Sequence, residues 1–313
     1  MLKAAVGQCA LSVAERLPSA KALLRRIGLR TSQDLFGKRS VTVQLGDGRE
    51  FRLTHVDESY LAFQLFWRGG DYYEPITRAL LQVLVQPGAR FLDIGAHIGF
   101  FSMAIGRAVP GVSIIAFEPH PGNFQVLKAN AASNGLKNMV CEPVAISDQD
   151  GTGTLYLTES DMSASLMKDF QEEDTEQISN IEVPTVTLDT YLSRRRITGP
   201  MVVKVDIEGH EPAFFRGASE TLARHRPDIV LEVLYDQDPT LVSHLKDLGY
   251  HFYPVTDEGL VELDAPRLVK RFPFLFLNHW LSVRPKQEVA EIFARVQEAT
   301  RRIDLLQTSK HFP

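Results

Sequence analysis

From Arg90 onward the chain alternates short apolar strands with helical stretches, and this alternation constrains the fold more than any other feature. Phe91-Leu92-Asp93-Ile94, Ser113-Ile114-Ile115-Ala116-Phe117, Asn138 to Ile146, Met201 to Val205 and Asp228 to Leu234 are nearly continuous apolar runs. Strands that are apolar on both sides must be covered on both faces, as in parallel sheets. Helical stretches run through Met103 and Ile105, over Pro121 to Asn134, near Pro212–His225 and over Thr240 to Leu248. Strands separated by helices point to a doubly wound, Rossmann-like α/β fold. Leu155–Leu157 and Val183–Val186 read as short further strands, and His251 to Val255, Leu260 to Leu263 and Phe274 to Val283 as terminal strands paired at one edge.

The length of 313 residues fits one domain of roughly 200–250 residues with extensions. Hydrophobic content of 44% and charged content of 23% exclude wholesale disorder. A net charge of −5 argues against a nucleic-acid partner, because nothing overall neutralises phosphate. Two cysteines, Cys9 and Cys141, cannot build a disulfide framework or a four-cysteine zinc site. No apolar run approaches the roughly 20 residues of a membrane span. Ala4 to Ala14 imitates a weak signal peptide but runs directly into Glu15 and Arg16, so it reads as an ordinary helix, and a cytoplasmic location is expected.

The sequence divides into an N-terminal helical and β-hairpin extension (1–74), an α/β domain (75–284) and a C-terminal helix (285–313). Residues 1–40 carry eight basic residues against two acidic ones, and Leu23, Leu24 and Ile27 share a helical face beside Lys21, Arg25 and Arg26. Such a helix either packs on its own domain or makes peripheral contact with an anionic membrane. Asp47-Gly48 between Val41–Leu45 and Phe51–Leu53 signals a hairpin with a type I′ turn. Pro75 opens a helix that Pro87-Gly88 stops. In the last helix Val289, Ile292, Val296, Ala299, Ile303 and Leu306 follow a 3-4 spacing, which serves packing on its own domain or a homodimer. Residues 159–180 hold seven acidic residues and one lysine, either a surface loop or a lid over substrate.

Three strand ends carry the chemistry. Asp93-Ile94-Gly95-Ala96-His97-Ile98-Gly99 lies between a strand and a helix, where glycines let backbone approach a ligand. The spacing is not G-x-G-x-x-G, and the leading Asp93 suits a cationic ligand such as S-adenosylmethionine (SAM) better than a pyrophosphate. Glu118, 25 residues later in Phe117-Glu118-Pro119, stands where a carboxylate accepts ribose hydroxyls. Lys204-Val205-Asp206-Ile207-Glu208-Gly209-His210-Glu211 follows a later strand, and ligands of open α/β sheets bind at such carboxyl ends. Glu232 closes the next strand and could join them. The carboxylates are read as orienting substrate, with no metal expected.

Phe91 to Gly99, Phe117-Glu118-Pro119 and Asn130 with Asn134 resemble the SAM-dependent methyltransferases of the FkbM type. So do Ala145-Ile146-Ser147-Asp148 with Gly151, Thr187-Leu188-Asp189, and Lys204 to Gly209 with Glu211, Gly217-Ala218 and Pro227. The resemblance covers roughly residues 75–235. It implies a class I methyltransferase fold, a seven-stranded, mostly parallel sheet whose last strand is antiparallel. It implies SAM as cofactor and O-methylation of a hydroxyl on a sugar, glycolipid or secondary metabolite, so the partner is a small-molecule or glycan- or lipid-linked acceptor. His97 stands where many methyltransferases have a second glycine, though a histidine occurs there within the FkbM type. Cofactor binding is assigned to Asp93, Gly95, Ala96, His97, Gly99, Glu118, Pro119, Asn123, Ala145, Ile146 and Asp206. Catalysis is assigned to Asp206, Glu208, His210 and His97. The competing readings are a non-catalytic SAM-binding or interaction protein and an NAD-dependent oxidoreductase, the latter disfavoured by the missing dinucleotide loop.

Overall fold

The computed structural model describes residues 40–55, 59, 61–62, 65, 69–158, 164–166, 177–234, 237–256, 259–267 and 278–309. The basic helix expected within 1–40, most of the acidic segment 159–180, and the side chains of Ile303 and Leu306 lie outside them.

Strands β1 (Ser40–Gln44) and β2 (Glu50–Thr54) form an antiparallel hairpin. Its turn differs from the expected type I′. Gly48 has φ 84°, while Asp47 is absent from the positive-φ residues. The Asp47 carboxylate accepts from the Arg49 N–H at 3.0 Å, a local turn that needs only one left-handed residue. Helix α1 (Pro75–Leu84) then leads into β3 (Arg90–Ile94), α2 (Phe100–Ala108), β4 (Ser113–Phe117), α3 (Pro121–Ser133) and β5 (Met139–Glu142). After β6 (Ala145–Ile146), β7 (Gly151–Thr158), β8 (Ala164–Ser165) and β9 (Gln177–Val186), the alternation resumes. Helix α4 (Leu188–Arg194) precedes β10 (Met201–Val205), α5 (Glu211–Gly217), α6 (Ser219–His225) and β11 (Asp228–Glu232). Helix α7 (Pro239–Asp247), β12 (His251–Pro254), β13 (Asn278–Ser282) and α8 (Lys286–Ser309) complete the chain.

The central sheet has seven strands in the order β12-β13-β11-β10-β3-β4-β5. β3, β4, β5, β10 and β11 pair in parallel, and β13 is antiparallel to both its neighbours, as the doubly wound expectation requires. Phe91, Val202 and Val230 pack into the apolar layer on one face, and Leu92, Val203 and Leu231 into that on the other. Each side chain so buried contributes about 1.5–3 kcal/mol. Strand order reverses at β3, so chain leaves β3 and β10 in opposite lateral directions and opens a crevice beyond their carboxyl ends.

Four further sequence readings need correction. Asn138 to Ile146 is not one strand: Pro143 has no N–H for the ladder, and the run breaks into β5 of the central sheet and β6 of another. Leu155–Leu157 and Val183–Val186 belong not to the parallel sheet but to β7 and β9 of a separate four-stranded sheet, ordered β6-β9-β7-β8. The helix near Pro212–His225 is two, α5 and α6, because the Asp189 carboxylate accepts from the Glu220 and Thr221 N–H groups and starts a new helix there. Among the described residues of 260–263, only a single bridge, Phe252 to Leu263, pairs with the sheet.

In α8, Val289, Ile292 and Val296 are buried within their own chain and Ala299 is packed against the same core. No described helix is long and apolar enough to cross a membrane.

Candidate active site

The crevice beyond β3, β4 and β10 is a cavity of about 260 Å³. Its floor begins at Asp93, which is 1% exposed and accepts from the Ser102 hydroxyl at 2.6 Å. Burial raises the Asp93 pKa, while the Lys204 charge and the Ser102 bond oppose it. Gly95, at φ 81°, owes its identity to the protein's own backbone: a Cβ there would lie 1.7 Å from the Asp206 carbonyl oxygen. Gly99 answers to packing as well, since its Cβ would meet Leu127 at 2.5 Å. His97 adopts φ 51°, the left-handed conformation that explains why a glycine fits this slot.

Glu118, at the carboxyl end of β4, is 6% exposed and accepts two backbone bonds, from His97 N at 2.7 Å and His120 N at 2.9 Å. Burial outweighs those two donors and lifts its pKa to about 7. The same His120 caps α3 by accepting from Asn123 N at 3.2 Å. The carboxylate is thus fixed in direction by loops on both sides and lines the cavity beside Pro119 and Asn123.

The third wall comes from β10 and its neighbours. Lys204 is 1% exposed, donates to Asp206 Oδ2 at 2.5 Å and lies 4.6 Å over the Phe101 ring. Burial opposes its charge, but Asp206, Glu74 and Asp93 outweigh burial and hold its pKa above the lysine range. Burial likewise works against the Asp206 charge, and Lys204 with a hydrogen bond from Glu232 more than offsets it, so the Asp206 pKa is lowered. Glu232 goes the other way: burial and the Asp206 charge keep it protonated, and its Oε2 has no hydrogen-bond partner. One proton therefore sits between the two carboxyls, on Glu232.

Glu74, ahead of α1, reaches the cavity from outside the β3–β11 region, accepting from Asn278 Nδ2 at 2.6 Å. Burial raises its pKa against the pull of Lys204. Glu74, His97 and Glu208 are three of the six described non-glycine residues at positive φ, with φ of 42°, 51° and 53°. Each lines the cavity, the kind of place where backbone strain collects. The Glu208 turn is tied to the second sheet by Ser165, whose hydroxyl donates to the Glu208 carbonyl at 2.6 Å. Asp206, Glu208 and Glu232 offer oxygens within 4.8 Å of one another, a spacing that could hold a metal ion, but the Lys204 ammonium already balances Asp206 from inside this group.

Every residue assigned from the sequence to cofactor binding or catalysis lines this cavity except Gly99, which caps α2 and packs on Leu127. His210 lines it too, but its Nε2 is bonded to Ser147 at 2.9 Å, and burial lowers its pKa so that it is neutral at pH 7. Ser147 and Asp148 do not reach the cavity; Asp148 pairs with Arg216 at 2.9 Å. Sequence reasoning passed over Tyr73, Glu74, Phe100, Phe101, Leu155 and Leu166 as lining residues. Only Glu74 carried a signal, a carboxylate directly before a helix-opening proline.

The chain is similar to known proteins in sequence and in structure. The methyltransferase FkbM domain model matches residues 93–252. The 31-O-demethyl-FK506 methyltransferase FkbM of Streptomyces tacrolimicus is 28% identical over 201 residues, 56% of this chain and 76% of that protein. The hexuronic acid methyltransferase AglP of Haloferax volcanii is 24% identical over 181 residues, covering 57% and 70%. A crystal structure of methyltransferase FkbM from Methylobacillus flagellatus KT aligns with TM-score 0.40 at 15% identity, over 72% of this chain and about half (55%) of that one. With the family model matching just over half of its length, and with carboxylates at the ends of β3, β4 and β10 around one crevice, the chain belongs to the FkbM family of methyltransferases.

Proposed function

We propose that this chain is a SAM-dependent O-methyltransferase acting on a hydroxyl of a sugar, glycolipid or secondary metabolite, with Asp206 as the group that takes the acceptor's proton. The observation that carries the reading is the ionised Asp206, held by buried Lys204 at the cavity wall with its side chain still 18% exposed.

The residues present fit SAM. Glu118 offers a fixed, buried carboxylate for the ribose hydroxyls, and Asp93 a second for the amino group of the methionine part. Ala145, Ile146 and Val144 give an apolar edge for the adenine, with Asn123 beside it. Bound there, SAM supplies a methyl group already activated by a sulfonium. The chain then has two tasks. The first is positioning, which can contribute roughly 7–11 kcal/mol. The second is accepting the hydroxyl proton, typically worth about 10²–10⁴-fold. Asp206 suits the second task because Lys204 keeps it free of a proton while the adjacent Glu232 holds one. Glu208 orients the acceptor from the neighbouring turn. His97 and His210 stand behind them as lesser candidates, His210 because its Nε2 is engaged by Ser147.

The test begins with calorimetric titration of SAM, S-adenosylhomocysteine and NAD. SAM and its product should bind and lose affinity in Glu118→Ala; binding of NAD alone would overturn the reading. With SAM carrying a carbon-13 methyl group and a pool of polyhydroxyl acceptors, the carbon shift of the product should be that of an ether. Asp206→Asn should lower turnover by about 10²–10⁴-fold. An N-methyl signal, or full turnover in Asp206→Asn with Glu208→Gln, would remove the hydroxyl acceptor or the base.

A further inference from the structure

The charge of the crevice is lopsided. Its lining carries six carboxyl groups, from Glu74, Asp93, Glu118, Asp206, Glu208 and Glu232, and no arginine among the described residues. Its one lysine offers nothing to a ligand, because Lys204 is 1% exposed, with its ammonium on Asp206 at 2.5 Å and over the Phe101 ring at 4.6 Å. The histidine farthest from the β3 loop, His210, is occupied by Ser147. Glu118, Asp93 and the β3 loop belong to the cofactor half, which leaves Glu74, Asp206, Glu208 and Glu232 around the acceptor, backed by Tyr73 and Phe101.

We propose that this acceptor half takes a hydroxyl compound bearing no negative charge, and rejects acceptors with a carboxylate, phosphate or sulfate near the reacting hydroxyl. The proposal rests on the methyltransferase reading above and narrows it. Carboxyl groups accept hydrogen bonds from hydroxyls and ammonium groups, so a neutral polyol or an amino sugar finds partners on every side. An anionic substituent meets these carboxyl groups and, among the described lining residues, no arginine and no lysine other than Lys204, whose ammonium is already spent on Asp206. Burial holds part of this set protonated, Glu232 above all, yet Asp206 stays ionised and is the group nearest the reaction. One contributor, Glu74, precedes the matched family segment of 93–252, so this selectivity is built in part by chain outside it.

Two measurements on the full chain test it. The first supplies tritiated-methyl SAM with three acceptor pools matched in skeleton: neutral hexosides, amino sugars and uronic acids. Label is expected in the neutral or amino pools, and label confined to the uronic acids would overturn the proposal. The second reads the charge without an acceptor, by calorimetry of sinefungin, which carries an ammonium where SAM carries its methylated sulfonium, against uncharged-sulfur S-adenosylhomocysteine. Sinefungin should bind about tenfold tighter or more, and Glu74→Gln and Glu208→Gln, each checked for unchanged circular dichroism, should cut that ratio several-fold. Equal affinities, or a ratio indifferent to both substitutions, would overturn the proposal. If SAM, S-adenosylhomocysteine and sinefungin all fail to bind, the methyltransferase reading itself falls, and the proposal with it.

Discussion

Strand β11 carries an acid at each end, and the two are used in opposite ways. Asp228, at its start, is 7% exposed and saturated with donors: Trp280 Nε1 at 2.9 Å, Ser282 Oγ at 2.7 Å and Arg284 Nε at 2.8 Å. Glu232, four residues on at the carboxyl end, faces the cavity with one oxygen unpartnered and the other sharing a proton with Asp206. The neighbouring strand β13 explains the contrast. At one end it gives Asp228 the Trp280 and Ser282 donors; at the other, its Asn278, the ladder partner of Glu232, donates instead to Glu74. The same strand pair thus anchors the sheet at the end without a ligand and withholds hydrogen bonds at the end beside the crevice. Stability and chemistry are separated by four residues.

The largest effect expected from this contrast is at Asp228. Asp228→Ala strands the buried Trp280 and Ser282 donors and leaves Arg284 with Glu288 alone, and should cost about 3–5 kcal/mol in urea unfolding. SAM affinity should not change; a loss of affinity without a loss of stability would erase the distinction between the two ends.

Next comes Glu118, which like Glu232 ends a strand at the crevice. Its folded pKa of about 7 exceeds the ordinary 4.5, so the folded chain keeps a proton that the unfolded chain releases. Stability from this group is therefore lost as pH rises from about 4.5 to 7, by about 3 kcal/mol at full effect. Glu118→Gln, which cannot titrate, should lose some stability at pH 4.5 through its missing acceptor and gain on the parent by that amount by pH 7. Parallel curves for parent and variant would show that Glu118 is not held out of its usual range. A smaller effect is expected at Ser165, whose bond to the Glu208 carbonyl holds the crevice turn from the second sheet. Ser165→Ala should cost about 1 kcal/mol.

How much of this was legible depends on chain direction. The central sheet was readable because each parallel strand is buried on both faces, which writes a continuous apolar run such as Met201 to Val205. Strand ends then placed Asp93, Glu118 and Asp206 at one crevice without any knowledge of packing. The second sheet was not readable in the same way. Strand β7 buries Leu155 between half-buried neighbours, and β9 alternates exposed and buried residues around Val183, so only short apolar fragments stood out and these joined the wrong sheet. Glu74 was missed for a different reason. It stands 19 residues before Asp93, and its place beside Lys204 depends on α1 packing over the sheet, which no local pattern records. The glycines were legible as a motif but misread in cause, since Gly95 makes room for the Asp206 carbonyl.

The smallest effect should come from the functional end of β11. In the parent, Glu232 is already protonated and donates to Asp206. Glutamine has the same shape and can make that bond through its amide, so at pH 5 Glu232→Gln should stay within about 1 kcal/mol of the parent. The direction with pH follows from the raised pKa. The unfolded chain ionises Glu232 above about 4.5, while the folded chain keeps its proton, so the parent loses stability as pH rises and the variant does not. Glu232→Gln should therefore become the more stable protein above pH 5, as read from thermal unfolding at several pH values. A variant that instead weakens steadily from pH 5 to 8 would mean that Glu232 is ionised in the folded chain, and that Lys204 serves two carboxylates rather than one. The two ends of β11 would then be alike, both built around a buried, paired charge.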